Sequence, residues 1–158
     1  MFASLLISKY GHIIAEGWGA YEVGNYERSE EHFQEVLNNE DDPKIGFFDL
    51  VEAHNGMGAL SLAHKDFFDA TRWYQESKYM LDQHFESRWP KRLDWAKKED
   101  RPIMRTVIGL AHLYYRSSQQ EKAKELYMQL LYADNHDGLG VRKYLEALDQ
   151  KKKFEEVE

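Results

Sequence analysis

The sequence predicts an all-α protein built from antiparallel helix hairpins. Three observations carry this. Apolar residues recur at three- and four-residue spacing, as in Val107, Leu110, Ala111 and Tyr114, and no alternating β-rich segment stands out. Only three prolines occur in 158 residues, so long helices are permitted. A spacing of small and aromatic residues occurs three times, which groups the helices into similar pairs.

Taken in order, a first helix is expected over about residues 4–23, broken by Gly24-Asn25. The apolar start, residues 1–7, has no basic n-region and reads as the opening of that helix rather than as a signal peptide. A second helix begins near Tyr26 and ends between Asn38 and Pro43. Asp42-Pro43 reads as an N-cap followed by proline at the first position of a third helix. His64-Lys65-Asp66 separates the third helix from a fourth. Residues 86–102, basic and containing Trp89 and Trp95, read as an insertion with a short helical turn. Its tryptophans are expected to plug the junction between hairpins, with a contact surface as the alternative. Ser117-Ser118-Gln119 divides a fifth helix from a sixth. Asn135-His136-Asp137-Gly138 precedes a last helix, about 139–152, expected to cap the stack through Val141, Tyr144, Leu145 and Leu148. The charged tail from Lys151 onward reads as a frayed helix end.

The recurring spacing is a small residue, a second small residue twelve positions on, and an aromatic four further. Its instances are Gly17, Ser29, Phe33; Gly58, Ala70, Tyr74; and Ala111, Ala123, Tyr127. The first small residue falls on the front helix of a hairpin and the second on the back helix. Absent side chains let the two backbones approach, and the aromatic fills the wedge one turn along. An aromatic also opens two of the back helices, Tyr26 and Phe67, where the third has Gln120.

These features resemble the tetratricopeptide-repeat family. Gly17-Trp18-Gly19-Ala20-Tyr21 with Gly24-Asn25-Tyr26 looks like the family's end of helix A and its turn. His54-Asn55-Gly56-Met57-Gly58-Ala59-Leu60 followed by Asp66-Phe67-Phe68-Asp69-Ala70 is a second copy, and Leu110-Ala111-His112-Leu113-Tyr114-Tyr115 with Glu121-Lys122-Ala123 a third. The copies lie 41 and 53 residues apart, against a family period of ~34. Ile13, His54 and Val107 stand at the family's early tryptophan, and Asp41, Asp82 and Asn135 at its closing proline. The resemblance implies one domain and a right-handed stack. Its repeats are approximately 10–41, 51–84 and 104–135, with the insertion at 86–102 and a capping helix at 137–152.

The resemblance also implies a function. Front helices of this family line a concave groove that holds an extended peptide or a partner helix. The corresponding positions here are Trp18 and Tyr21, then Glu52, Asn55 and Leu62, then Arg105, Ile108, His112, Tyr115 and Arg116. The set is aromatic at one end and basic at the other, and aromatic and arginine side chains are common interface anchors. Trp18 and Tyr21 would hold an apolar residue, Asn55 would pair with peptide backbone, and Arg105 and Arg116 would receive acidic or C-terminal carboxylate groups. The structural alternatives are an Arg105–Glu52 ion pair and simple packing. Gly11, Ile14, Trp18 and Gly56 occupy places where the carboxylate-clamp version needs basic residues and asparagine, which argues against that version.

Composition narrows the chemistry. With no cysteine, disulfides, thiolate metal sites and a catalytic thiol are excluded. A net charge of -7 argues against nucleic acid as partner. No apolar run reaches the ~18 residues of a membrane span, so no membrane partner is expected, and the absence of cysteine fits the expected cytoplasmic location. His54 and His64 are ten apart on one predicted helix, hence ~15 Å, too far to share an ion. Gly17, Gly19, Gly56 and Gly58 sit inside helices and follow no strand, so close helix packing explains them better than a phosphate loop. Carboxylate pairs such as Glu30-Glu31 read as solvated charge. No residues meet the geometric roles of catalysis, so no enzyme and no cofactor are expected. The expected function is a protein–protein interaction scaffold. The alternatives are a self-associating scaffold, whose mass would depend on concentration, and a small-ligand or metal-dependent hydrolase, which would show turnover.

Overall fold

The computed structural model describes residues 8–157 and is all-α, with no strand among them. Its helices are α1 (Lys9–Glu22), α2 (Tyr26–Asn38), α3 (Phe47–Ala63), α4 (Phe67–Phe85), α5 (Arg101–Arg116), α6 (Gln120–Ala133) and α7 (Val141–Asp149). Single 3-10 turns occur at Lys98–Asp100 and Phe154–Glu156. The expected helical start over residues 1–7 lies outside the described residues. The chain divides into two compact units, one ending at Trp73 and the other beginning at Tyr74, within α4.

The hairpin turns share one closure. At Gly24, Lys65 and Ser118 the backbone turns left-handed, with φ of 80°, 61° and 64°. The next amide then reaches back across the turn: Asn25 to the Ala20 carbonyl, Asp66 to Ser61, and Gln119 to Tyr114, at 2.8–2.9 Å. These bonds satisfy carbonyls that a helix end leaves unpaired. The three positions repeat the 41- and 53-residue spacing seen in the sequence. Only the first is glycine. A left-handed residue with a Cβ costs ~1 kcal/mol, so Lys65→Gly and Ser118→Gly are each expected to stabilise the protein by ~0.5–1 kcal/mol. Thermal melting checks this; unchanged or lower midpoints would contradict the left-handed turns.

In the first unit α1 and α2 form a hairpin, and α3 packs against both. Ser8 caps α1, accepting the Gly11 amide at 3.0 Å, and Asn25 caps α2 through the Arg28 amide. The core gathers Tyr10, Ile14, Phe33, Val36, Ala53, Met57 and Leu60. Ser29 donates its hydroxyl to the Gly17 carbonyl at 2.8 Å, so the two small residues do meet. The fully buried Phe33 ring is wedged between two glycines. A Cβ on Gly17 would lie 2.8 Å from one ring edge, and a Cβ on Gly56 would lie 2.4 Å from the other. Gly19 has no such role, because nothing lies within 4 Å of where its Cβ would be. From Val51 to Ser61 every residue of α3 is buried, and its sequence is correspondingly apolar around most of its circumference.

The Asp42-Pro43 cap does not form. Helix α3 starts four residues later, after Gly46. The Asp42 carboxylate instead accepts the Tyr10 hydroxyl at 2.6 Å and the Lys44 amide at 2.9 Å. Those bonds, the phenol's first, hold its pKa below the ordinary carboxylate range. A long-range partner outcompetes the local cap.

In the second unit α5 and α6 form a hairpin closed by the fully buried Ala111, Ala123 and Tyr127. The Tyr74 ring presses on Gly109, where a Cβ would lie 2.5 Å away. The insertion is folded onto these helices. Leu93 donates its amide to the Ala133 carbonyl at 3.0 Å, Trp89 lies against Phe85 and the Lys78 ammonium, and Trp95 faces Arg101 and Arg105. After α6, the Asp134 carboxylate accepts the amides of His136 and Gly138. Asp137 then caps α7 through Val141 at 2.6 Å and Arg142 at 3.2 Å. Helix α7 is shorter than the expected 139–152, because Gly140 and Lys151 are both left-handed. It packs on α6 and buries Val141, Ala147 and Leu148.

Candidate functional site

The second unit presents a cradle of aromatic side chains. His112, Tyr115 and Arg116 come from α5, Tyr127 from α6 and Tyr144 from α7. Three- and four-residue spacing puts the α5 residues on one face. Tyr127 and Tyr144 stack at 5.3 Å and 10°. The His112 ring lies 4.5 Å from that of Tyr144, and its Nδ1 shares a 2.6 Å hydrogen bond with the Tyr127 hydroxyl.

The cradle is occupied by the chain's own tail, which is not a frayed helix end. Lys151 reverses the backbone, and the turn Phe154–Glu156 returns along α5. Phe154 stacks on Tyr144 at 5.6 Å and 15°, meets the edges of His112 and Tyr115, and lies 4.1 Å from the Arg116 guanidinium carbon. Arg116 also reaches the Glu155 carboxylate at 3.4 Å. Tyr115 donates its hydroxyl to the Lys152 carbonyl at 2.6 Å. Three of the groove residues expected from sequence therefore hold a polypeptide segment.

Electrostatics follow from burial. Desolvation pushes the Tyr127 phenol well above its ordinary pKa, so it stays protonated. Burial first, then the Arg116 and Lys143 charges, lowers the His112 pKa to about 4. An unfolded histidine titrates near 6.5. Stability due to neutral His112 is thus fully present above pH 6.5 and is lost as pH falls towards 4. Between pH 7 and pH 5 this group alone is expected to cost the second unit ~2 kcal/mol. Melting midpoints should fall more steeply over that range for the parent than for His112→Gln. Parallel falls would show that His112 is not the titrating group.

The other groove residues expected from sequence are spread over both units. Arg105, half-buried, stands 5.0 Å from the Trp95 ring centre, and Ile108 is half-buried on the same helix. In the first unit Trp18 donates its indole N–H to Glu52 at 3.0 Å and meets Tyr21 and Phe33 edge-on. Tyr21 continues to Tyr26, and Tyr26 to His64. Leu62 is half-buried. Asn55 is fully buried and donates to Glu52 at 3.1 Å, so its amide serves the interior, not a peptide backbone. Tyr127, Tyr144, Phe154 and Glu155 were not expected from sequence as parts of one site. The signal available for the tail was a lone phenylalanine amid charge.

A second concavity, about 350 Å³, lies among α4, α5 and α6, lined by Gln75, Lys78, Tyr79, Asp82, Tyr114 and Lys122. Two pairs form in it: Lys78 with Asp82 at 2.9 Å, and Gln75 with the Tyr114 hydroxyl at 3.3 Å. Among the described residues no group of three or more His, Asp or Glu is placed to hold a metal ion. No described helix is long and apolar enough to cross a membrane. Fold and site define a class: an all-helical protein of hairpins with an aromatic–arginine cradle. Beyond that class, no family model, characterised protein or solved structure matches the chain.

Proposed function

We propose that this chain is a protein–protein interaction module of tetratricopeptide-repeat type, receiving a short segment of a partner on the α5 face without catalysis. One observation carries the proposal: α5 and α7 already hold the tail by a stacked ring, a carboxylate–arginine contact and a backbone carbonyl. Those three handles are the ones a peptide offers, and buried aromatic residues with an arginine are the usual energetic centre of an interface.

The test is panning a displayed peptide library on the intact chain, with Arg116→Glu as the comparison. Enriched sequences should bind the parent at least tenfold more tightly than the variant. Weakening by salt is expected for the acidic part of any such ligand. Absence of any enriched sequence would sink the module, and enriched sequences indifferent to Arg116→Glu would move its site off α5.

A further inference from the structure

We propose that the tail from Lys152 to Val157 is a resident self-ligand, and that the cradle takes in trans a protein segment with an aromatic residue followed by a carboxylate. This rests on the proposed interaction module and specifies its ligand.

Beyond the amides of Lys151 and Lys152, which close α7 on the Leu148 and Ala147 carbonyls at 3.1 and 2.9 Å, the tail meets the cradle through side chains. Helix α7 ends at Asp149, and Lys151 turns the chain away from its axis. Beyond that turn the regular structure is one 3-10 turn of three residues, Phe154–Glu156. Of residues 152–157 Phe154 and Val157 are half-buried and the others exposed. Side chains of the cradle meet the tail at three points, the Phe154 ring, the Glu155 carboxylate and the Lys152 carbonyl. Charge agrees: Glu155 meets Arg116 at 3.4 Å, and Glu156, whose carboxylate accepts the Lys153 amide at 3.3 Å, lines one concavity with Lys143. A contact of one half-buried ring, one exposed ion pair and one hydrogen bond is small enough to open locally, with the rest of the unit folded.

The geometry dictates the trans ligand. It needs a ring to stack on Tyr144 and Arg116, a carboxylate one residue later for Arg116, and a backbone carbonyl two residues earlier for Tyr115. A tail tethered by so short a link sits at an effective concentration of ~1 mM. With an intrinsic dissociation constant of ~100 μM it would be docked ~90% of the time and raise the apparent dissociation constant of a competitor about tenfold. An external segment must displace the tail, so occupancy is set by competition.

The experiment uses the full chain and a fluorescein-labelled peptide with the sequence of residues 151–157, followed by anisotropy. Phe154→Ala should bind it about tenfold more tightly than the parent chain. The same peptide with alanine for phenylalanine should bind neither, and Phe154→Ala with Arg116→Glu should lose the binding. Glu155→Lys, an exposed substitution that leaves the ring in place, should shift affinity in the same direction by about threefold. Equal affinity of the parent and both single variants would overturn the self-ligand. Binding that survives Arg116→Glu would overturn the site. Either failure alongside library sequences that still bind the chain elsewhere leaves the interaction module standing with a different ligand.

Discussion

Replacing Gly56 by alanine is expected to destabilise the first unit by ~2 kcal/mol, the usual scale of overpacking a closed core. Alanine is the better helix former by ~1 kcal/mol, so the sign of the effect separates packing from propensity. The new Cβ would lie 2.4–2.5 Å from three atoms of the Phe33 ring. The ring has nowhere to go. It is fully buried, and its opposite edge already sits where a Cβ on Gly17 would come within 2.8 Å. Phe33→Leu, costly in the parent, should therefore be nearly harmless or restoring beside Gly56→Ala. The coupling in urea-unfolding free energies should exceed ~1 kcal/mol. A Gly56→Ala chain as stable as the parent would show that the wedge yields. Gly109 should behave likewise against Tyr74, where the corresponding approach is 2.5 Å.

Removal of everything from Asp137 onward is expected to abolish cooperative folding of the second unit. Helix α7 buries Val141 and Leu148 and lays Tyr144 on the fully buried Tyr127. Each aliphatic side chain is worth ~1.5–3 kcal/mol when buried, and the ring stack adds ~1 kcal/mol. The sum, ~5 kcal/mol, reaches the lower range of a whole domain's stability. An open hairpin end would also be left with apolar surface in water. The full-length Val141→Asp chain should show a milder form of the same defect, since Val141 is 1% exposed. Circular dichroism on heating and light scattering read both outcomes. A truncated chain that stays monomeric and melts like the parent would remove α7 from the fold's requirements.

In the second unit the fold and the proposed function meet on one surface. The cradle that holds Phe154 is also the place where His112 is desolvated and where α7 closes the hairpin. Stability and ligand binding therefore meet on the same side chains, and variants such as Phe154→Ala and Glu155→Lys, which act from the tail, separate the two more cleanly than changes in Tyr127 or Tyr144.

Much of this was legible in the residues. Helix class, the turns at Gly24, Lys65 and Ser118, the Gly17–Ser29 approach and the presence of a last helix after Gly138 came from periodicity, punctuation and the twelve-and-four spacing. All of these are set by energies between residues close in sequence or within one hairpin. Gly56 and Gly109 carried a trace as well, because they share the 53-residue spacing of the later copies. Their role was hidden, since contact with the ring of a preceding back helix depends on how one helix is rotated against another. Three further matters were decided only by tertiary structure. Tyr10, 32 residues away, takes the Asp42 carboxylate from its local cap. Asn55 is fully buried and donates to Glu52. The tail binds because three helices bring His112, Tyr115, Tyr127 and Tyr144 together, and a three-residue turn is too short to announce itself by any period. Local rules act through the chain's own geometry, whereas burial and long-range hydrogen bonds are settled only when distant segments compete for the same partner.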